Sequence, residues 1–164
     1  MEEREDQLAA RLGAALRAAG KTIACAESCT GGLVTSRLTD IPGSSNYVMG
    51  SVVSYTNDIK ERLVGVRHET LAAHGAVSPE TAREMADGIR RVIRTDLGLG
   101  ITGIAGPGGG TAAKPVGLVY IAVSSEKGTR VTENHFSGTR TEVKRQTSDA
   151  ALALALDALT EVQA

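Results

Sequence analysis

The sequence is poor in aromatic residues: of its 164 residues, three are Tyr, one is Phe and none is Trp. Unpaired nucleic-acid bases are usually bound by stacking on aromatic side chains, so this kind of binding is disfavoured. The 18 basic and 19 acidic residues nearly balance, which predicts no basic surface for a nucleic acid or a membrane. A chain of 164 residues suffices for one compact domain, residues 1–164, with a core of mainly Ala, Val, Leu and Ile.

The sequence also lacks long apolar segments and has few cysteines. Its beginning, Met1 to Asp6, is acidic and polar, unlike a signal peptide, and no apolar run approaches the roughly 20 residues of a membrane span. Cys25 and Cys29 are four residues apart, which matches neither a zinc site nor a redox pair. We expect two reduced thiols in a reducing compartment, and hence a cytoplasmic protein without nucleic-acid or membrane partners.

Several standard catalytic motifs are missing. The three histidines, His68, His74 and His135, have no paired metal-binding spacing, and no His-Glu-x-x-His string occurs. We therefore expect the histidines to be structural or on the surface, and we predict no metal site. The sequence contains no Gly-x-Ser-x-Gly elbow.

Helical and β-type patterns alternate along most of the chain. Apolar spacing, caps and β-rich runs predict helices over 8–19, 30–38, 57–64, 78–94 and 140–162, and strands over 22–26, 47–55, 97–102, 116–124 and 129–136. Such alternation is typical of α/β proteins with helices on both faces of the sheet. The last two strands are joined by a short turn, which predicts an antiparallel pair and therefore a mixed sheet.

Two loops after buried strands are candidates for ligand binding, because ligands of open α/β sheets bind outside strand ends. The loop from Glu27 to Gly32 offers hydroxyls and backbone N–H groups for an anion, or simply a helix cap. The glycine-rich loop from Thr102 to Gly110 fits either a phosphate cradle or a flexible surface loop. It matches neither the Walker A motif nor the dinucleotide fingerprint.

A third loop, Gly43 to Ser45, is followed by Tyr55 and, fifteen residues after the serine, by Lys60. A serine is a weak nucleophile unless a base activates it, and a lysine acts as that base when burial lowers its pKa. Serine–lysine pairs are an established variant of the catalytic triad. By spacing alone, however, the pattern is more typical of an exposed loop and an exposed helix.

Five strings, taken together, resemble the nicotinamide-nucleotide amidase family, also known as the C-terminal domain of CinA-type competence-damage-inducible proteins. The resemblance covers nearly the whole chain, and the order and spacing of the strings match. The strings are Ala26–Gly32, Gly43–Ser45, Ser54–Asn57 with Lys60, His74–Ser78, and Gly103–Pro107 leading to Lys114–Gly117.

This resemblance implies a three-layer α/β/α sandwich with a mixed, mostly parallel sheet. It implies hydrolysis of the carboxamide of nicotinamide mononucleotide to nicotinic acid mononucleotide and ammonia, a step of pyridine-nucleotide recycling that uses no cofactor. In many relatives a larger domain resembling a molybdopterin-binding fold precedes this one, so the chain is expected to be the stand-alone form. A homodimer through the apolar first and last helices is also expected.

The resemblance further implies roles for individual residues. Ser45 matches the nucleophile, Lys60 the base, and Tyr55 a residue that supports them. Substrate-binding positions are expected at Ser28, Thr30, Thr102, Gly103 and Arg140. Two alternatives remain open: a nucleotide-binding module without catalysis, and an amidase for another small amide.

Overall fold

A computed structural model describes residues 6–161 of the chain. The helices are α1 (Gln7–Ala19), α2 (Leu33–Thr39), α3 (Asn57–Val64), α4 (His68–His74), α5 (Pro79–Ile93) and α6 (Arg140–Thr160). The strands are β1 (Ile23–Glu27), β2 (Val48–Val53), β3 (Leu97–Gly103), β4 (Leu118–Ser125) and β5 (Gly128–His135).

The helix ends follow the capping chemistry of the sequence. α5 begins after Ser78, whose hydroxyl accepts a hydrogen bond from the Thr81 N–H, and Pro79 occupies its first turn. α6 begins with a capping box, in which Thr139 and Glu142 each bond the other's backbone N–H. This cap fixes the position of Arg140, the first residue of α6.

The five strands form one mixed sheet in the order β2-β1-β3-β4-β5. β1 pairs in parallel with β2 and β3, whereas β4 is antiparallel to both of its neighbours. Four strands therefore run in one direction and β4 runs against them. The carboxyl ends of β1, β2 and β3 consequently meet at one edge of the sheet, where Glu27 is paired with Val53 and with Ile101.

Helices cover both faces of the sheet, which confirms the predicted three-layer architecture. α1, α2 and α6 bury the larger core against one face, and α5, with α3 and α4 beside it, covers the other. The apolar faces of α1 and α6, which were predicted to contact a second subunit, pack on each other and in this chain's own core. The homodimer itself stays a prediction.

Most predicted elements are confirmed to within a few residues, and one helix was missed. α4 is short and begins with polar residues, so its sequence carries no clear apolar periodicity. It is held instead by tertiary contacts to α5, because the Glu84 carboxylate accepts hydrogen bonds from the Arg67 N–H and the Thr70 hydroxyl. Val162, the predicted end of the last helix, lies outside the described residues. No helix within residues 6–161 has both the length and the apolar character that a membrane crossing requires.

Close packing between α3 and α5 depends on a glycine. Gly88 of α5 lies directly against the carbonyl group of Val64 at the end of α3, and a Cβ at this position would overlap the carbonyl oxygen. We expect Gly88→Ala to lower the free energy of unfolding by about 1–3 kcal/mol, because backbone atoms must shift to make room. Urea denaturation measures this difference.

Gly108→Ala is the matched control for this substitution. Apart from its two chain neighbours, no residue between 6 and 161 has an atom within 4 Å of the position that its Cβ would occupy, so its unfolding midpoint should stay close to that of the unsubstituted chain. Equal stability of the two variants would contradict the described contact between α3 and α5.

Candidate active site

A cleft of about 270 Å³ lies at the edge of the sheet where the carboxyl ends of the parallel strands meet. Ser28 follows β1 directly, Tyr55 follows β2 after one residue, and Thr102 belongs to the end of β3. All three residues line the cleft, together with Lys60 of α3 and Arg140 of α6. This is the position at which ligands of open α/β sheets are bound.

The Nζ of Lys60 lies 2.9 Å from the hydroxyl oxygen of Ser28. Both side chains are buried, with exposed fractions of 1% for Lys60 and 8% for Ser28. The serine is placed by the backbone of its loop, because its N–H donates to the carbonyl of Ile101 in β3. A hydroxyl and an amine are thus in hydrogen-bond contact on the floor of the cleft.

Two backbone carbonyls hold the Lys60 amine in place. Nζ donates to the carbonyl oxygens of Ser54 and Tyr55, each at 2.9 Å, and its third hydrogen bond goes to Ser28. No carboxylate within residues 6–161 forms a salt bridge with it. Burial therefore lowers the pKa of Lys60 from its usual 10.5 to about 8, which makes the neutral amine accessible near neutral pH.

Glu27, directly before Ser28, is completely buried, but its carboxylate bonds the loop and α2 rather than Lys60. Its carboxylate accepts hydrogen bonds from the N–H groups of Val34 and Thr35 and from the hydroxyls of Thr30 and Thr35. It thereby caps the first turn of α2 and shapes the loop that carries the serine. This explains why an acidic residue follows an apolar strand.

Arg140 and Tyr55 form one wall of the cleft. The guanidinium of Arg140 donates to the carbonyl of Gly106 at 2.8 Å and to the Tyr55 hydroxyl at 3.1 Å. On another side, the hydroxyl of Thr102 donates to the Ala76 carbonyl, and Gly103 lines the cleft beside it. The glycine-rich loop is therefore attached to α6 through an arginine.

The loop after Ser28 presents backbone donors without acceptors. Among the described residues, the N–H groups of Cys29 and Thr30 donate no hydrogen bond, whereas that of Gly31 donates to the Ser28 carbonyl. The thiol of Cys29 also lines the cleft, but burial raises its pKa to about 12. Cys29 is therefore a neutral thiol. Its backbone N–H, which has no acceptor in the described part of the chain, is the group of this residue that can donate a hydrogen bond to a ligand.

The predicted pair of Ser45 and Lys60 is wrong. Ser45 is an exposed residue in a short 3₁₀ turn before β2, at the amino end of the strand, while Lys60 lies beyond its carboxyl end. The six residues of β2 separate the two ends by about 20 Å. Ser45 cannot reach the amine, and the structure brings Ser28 to Lys60 instead.

Two other predicted residues have roles different from those expected. Thr30 is buried, does not line the cleft, and donates its hydroxyl hydrogen bond to Glu27, so its side chain is structural. Tyr55 contacts Lys60 through its backbone carbonyl, while its side chain is 56% exposed at the rim. The other predicted residues, Ser28, Lys60, Thr102, Gly103 and Arg140, line the cleft together.

Comparison with known proteins gives consistent matches over nearly the whole chain. The model of the CinA C-terminal domain family matches residues 5–159. A CinA-like protein of Syntrophomonas wolfei is 51% identical over 149 residues, which are 91% of this chain and 36% of that protein. The chain thus spans about a third of the length of the curated relatives that it matches.

Solved structures match over the full domain. The competence/damage inducible protein CihA from Agrobacterium tumefaciens has 42% identity and a TM-score of 0.92, with 98% of each chain covered. A CinA superfamily protein from Escherichia coli has 30% identity and a TM-score of 0.89, with 93% of this chain and 90% of that chain covered.

The buried amine predicts a characteristic pH dependence of stability. The pKa of Lys60 is about 8 in the folded chain and near 10.5 when unfolded, so between these values the unfolded chain binds more protons. Stability should therefore rise with pH in this interval. Between pH 8 and pH 10, we expect the unfolding midpoint of the unsubstituted chain to rise relative to the midpoint of Lys60→Met.

The control is Lys127→Met, which replaces an exposed lysine in the turn between β4 and β5. Its midpoint should stay parallel to that of the unsubstituted chain across the same pH series. If the difference in midpoint between the unsubstituted chain and Lys60→Met also stays constant with pH, the pKa of Lys60 is not lowered on folding.

Proposed function

Because this chain belongs to the CinA C-terminal domain family, we propose that it is an amidohydrolase, with Ser28 as nucleophile and Lys60 as base. The proposed substrate is nicotinamide mononucleotide, and the products are nicotinic acid mononucleotide and ammonia. The observation that carries this proposal is the contact of 2.9 Å between the Ser28 hydroxyl and the buried Lys60 amine. The reaction would belong to pyridine-nucleotide recycling in the cytoplasm.

The surroundings of Lys60 support its role as a base. A neutral amine has two N–H groups and one lone pair. When the carbonyls of Ser54 and Tyr55 accept the two N–H groups, the lone pair points to the third neighbour, the Ser28 hydroxyl. The same three contacts hold the protonated form, so the amine gains and loses a proton without moving.

Acylation then proceeds in two balanced steps. Lys60 takes the hydroxyl proton while Ser28 Oγ bonds to the amide carbon, which gives a tetrahedral intermediate with a negative oxygen. The C–N bond breaks, the protonated Lys60 transfers its proton to the nitrogen, and ammonia leaves an acyl-enzyme. Water attacks the ester by the same route, with its proton passing to Lys60 and from there back to Ser28.

A backbone N–H group would stabilise the negative oxygen of the intermediate. The N–H of Cys29, a residue that follows the nucleophile directly and lines the cleft, has no acceptor among residues 6–161. One such donor is typically worth about 3 kcal/mol of transition-state stabilisation.

The charges of the cleft support an anionic substrate. The cationic Arg140 is among the lining residues, and no described lining residue is a carboxylate. A positive cleft in a nearly neutral chain attracts anions such as the phosphate of a mononucleotide. Arg140 lies on the wall of the cleft, where its guanidinium can face one side of a bound nucleotide.

The two serines give a direct test of the nucleophile. We expect Ser28→Ala to reduce the release of ammonia from nicotinamide mononucleotide by about 10³-fold or more, because no hydroxyl remains next to Lys60. Ser45→Ala should keep full activity, because Ser45 lies at the opposite end of β2. Ammonia is measured with a coupled assay, and circular dichroism verifies folding. An active Ser28→Ala variant would overturn the assignment of the nucleophile.

Activity should depend on pH through Lys60. The base must be neutral, and its pKa is about 8, so kcat/KM should rise about tenfold per pH unit below this value and level off above it. Lys60→Arg should be inactive at every pH, since a guanidinium stays protonated. A profile of kcat/KM that is flat between pH 6.5 and pH 9 would contradict a titrating lysine base.

If the unsubstituted chain releases no ammonia but binds the nucleotide, the chain is a binding module.

A further inference from the structure

A second cation lies one helical turn after Arg140. Lys144 follows it by four residues on α6, so both side chains project from the same face of the helix. The Nζ of Lys144 lies 3.7 Å from the position that a Cβ on Gly31 would occupy. The lysine therefore extends over the loop that carries Ser28, although it lies on a different element.

The two cations differ in what they already bind. Two nitrogen atoms of Arg140 donate to protein acceptors, the Gly106 carbonyl and the Tyr55 hydroxyl. For Lys144, no hydrogen bond and no salt bridge occur to any residue between 6 and 161, although its side chain is half-buried. Its three N–H donors are available to a ligand, and a half-buried cation gains more from an anionic partner than an exposed one does.

Gly31 leaves the space that such a ligand needs. It is exposed, has a positive φ of 61°, and carries no side chain between the Lys144 ammonium and the loop. Gly31 follows Ser28 by three residues, and its N–H donates to the Ser28 carbonyl. The phosphate of a nucleotide whose carboxamide lies at Ser28 is several bonds away, so it would extend past the lining of the cleft along this loop, where Lys144 lies.

From these contacts, we propose that Lys144 binds the phosphate of the substrate and sets the preference for a nucleotide over the corresponding nucleoside. This proposal rests on the proposed function, because it takes the carboxamide to lie at Ser28. Arg140 then acts mainly as a positioning residue, which holds the glycine-rich loop and Tyr55 in place. Lys144 is the residue whose charge the phosphate requires.

The test compares a substrate that has the phosphate with one that lacks it. We expect Lys144→Ala to raise KM for nicotinamide mononucleotide about tenfold with little change in kcat, and to leave kcat/KM for nicotinamide riboside unchanged. Lys144→Gln should behave in the same way, and Lys144→Arg should restore most of the affinity. Arg145→Ala, which removes the adjacent and exposed cation of α6, is the matched control and should affect neither substrate.

A merely structural role of Lys144 would lower the activity on both substrates equally, and this outcome would overturn the proposal. An unchanged KM for the nucleotide would overturn it as well. If the unsubstituted chain releases no ammonia from either substrate, the proposed function fails, and binding of ribose 5-phosphate measured by calorimetry tests Lys144 separately. Tenfold weaker binding by Lys144→Ala than by Arg145→Ala would support the phosphate site, and equal binding would reject it.

Discussion

The candidate site depends on one buried amine that is held without a carboxylate. Lys60 donates to two backbone carbonyls and to Ser28, so its geometry is fixed while its charge remains uncompensated. A carboxylate partner would stabilise the ammonium and keep the pKa high, and exposure to water would have the same effect. The two carbonyl dipoles orient the amine but do not offset the cost of burying its charged form, so the pKa of Lys60 falls to about 8.

The parallel pairing of β1 and β2 creates this arrangement. Because Glu27 and Val53 are paired, the residues that follow the two strands emerge side by side, and the Ser54 N–H donates to the Glu27 carbonyl. Ser28 is thereby brought to the carbonyls that hold Lys60. The carboxylate of Glu27 is close in sequence, but its four donors come from the loop and from α2. The fold thus uses an acidic residue to shape the loop without pairing it with the Lys60 amine.

Local patterns predicted most of the fold but not which serine contacts Lys60. Caps and periodicity identify α1, α3, α5 and the five strands, because these signals are contained within each segment. Whether a serine reaches Lys60 depends instead on which end of a strand it adjoins. Ser45 precedes β2, whereas Ser28 follows β1. Because the two strands are parallel, the two serines lie at opposite edges of the sheet, and the strand direction was the signal that distinguishes them. α4 was missed for a similar reason, because its stabilising partner, Glu84, belongs to α5.

Net charge conceals the electrostatic character of the cleft. Several arginines outside it are paired with acids: Arg37 contacts Asp6 and Asp149, and Arg130 contacts Glu161. By contrast, no carboxylate within residues 6–161 pairs with Lys60 or Arg140, and the only described hydrogen-bond acceptors of these two side chains are backbone carbonyls and hydroxyls. A chain with a formal net charge of −1 therefore presents a positive cleft. The electrostatic potential at a site follows from how its charges are paired locally rather than from the net charge of the chain. A balanced composition therefore argues against nucleic-acid binding but is compatible with a small anionic ligand.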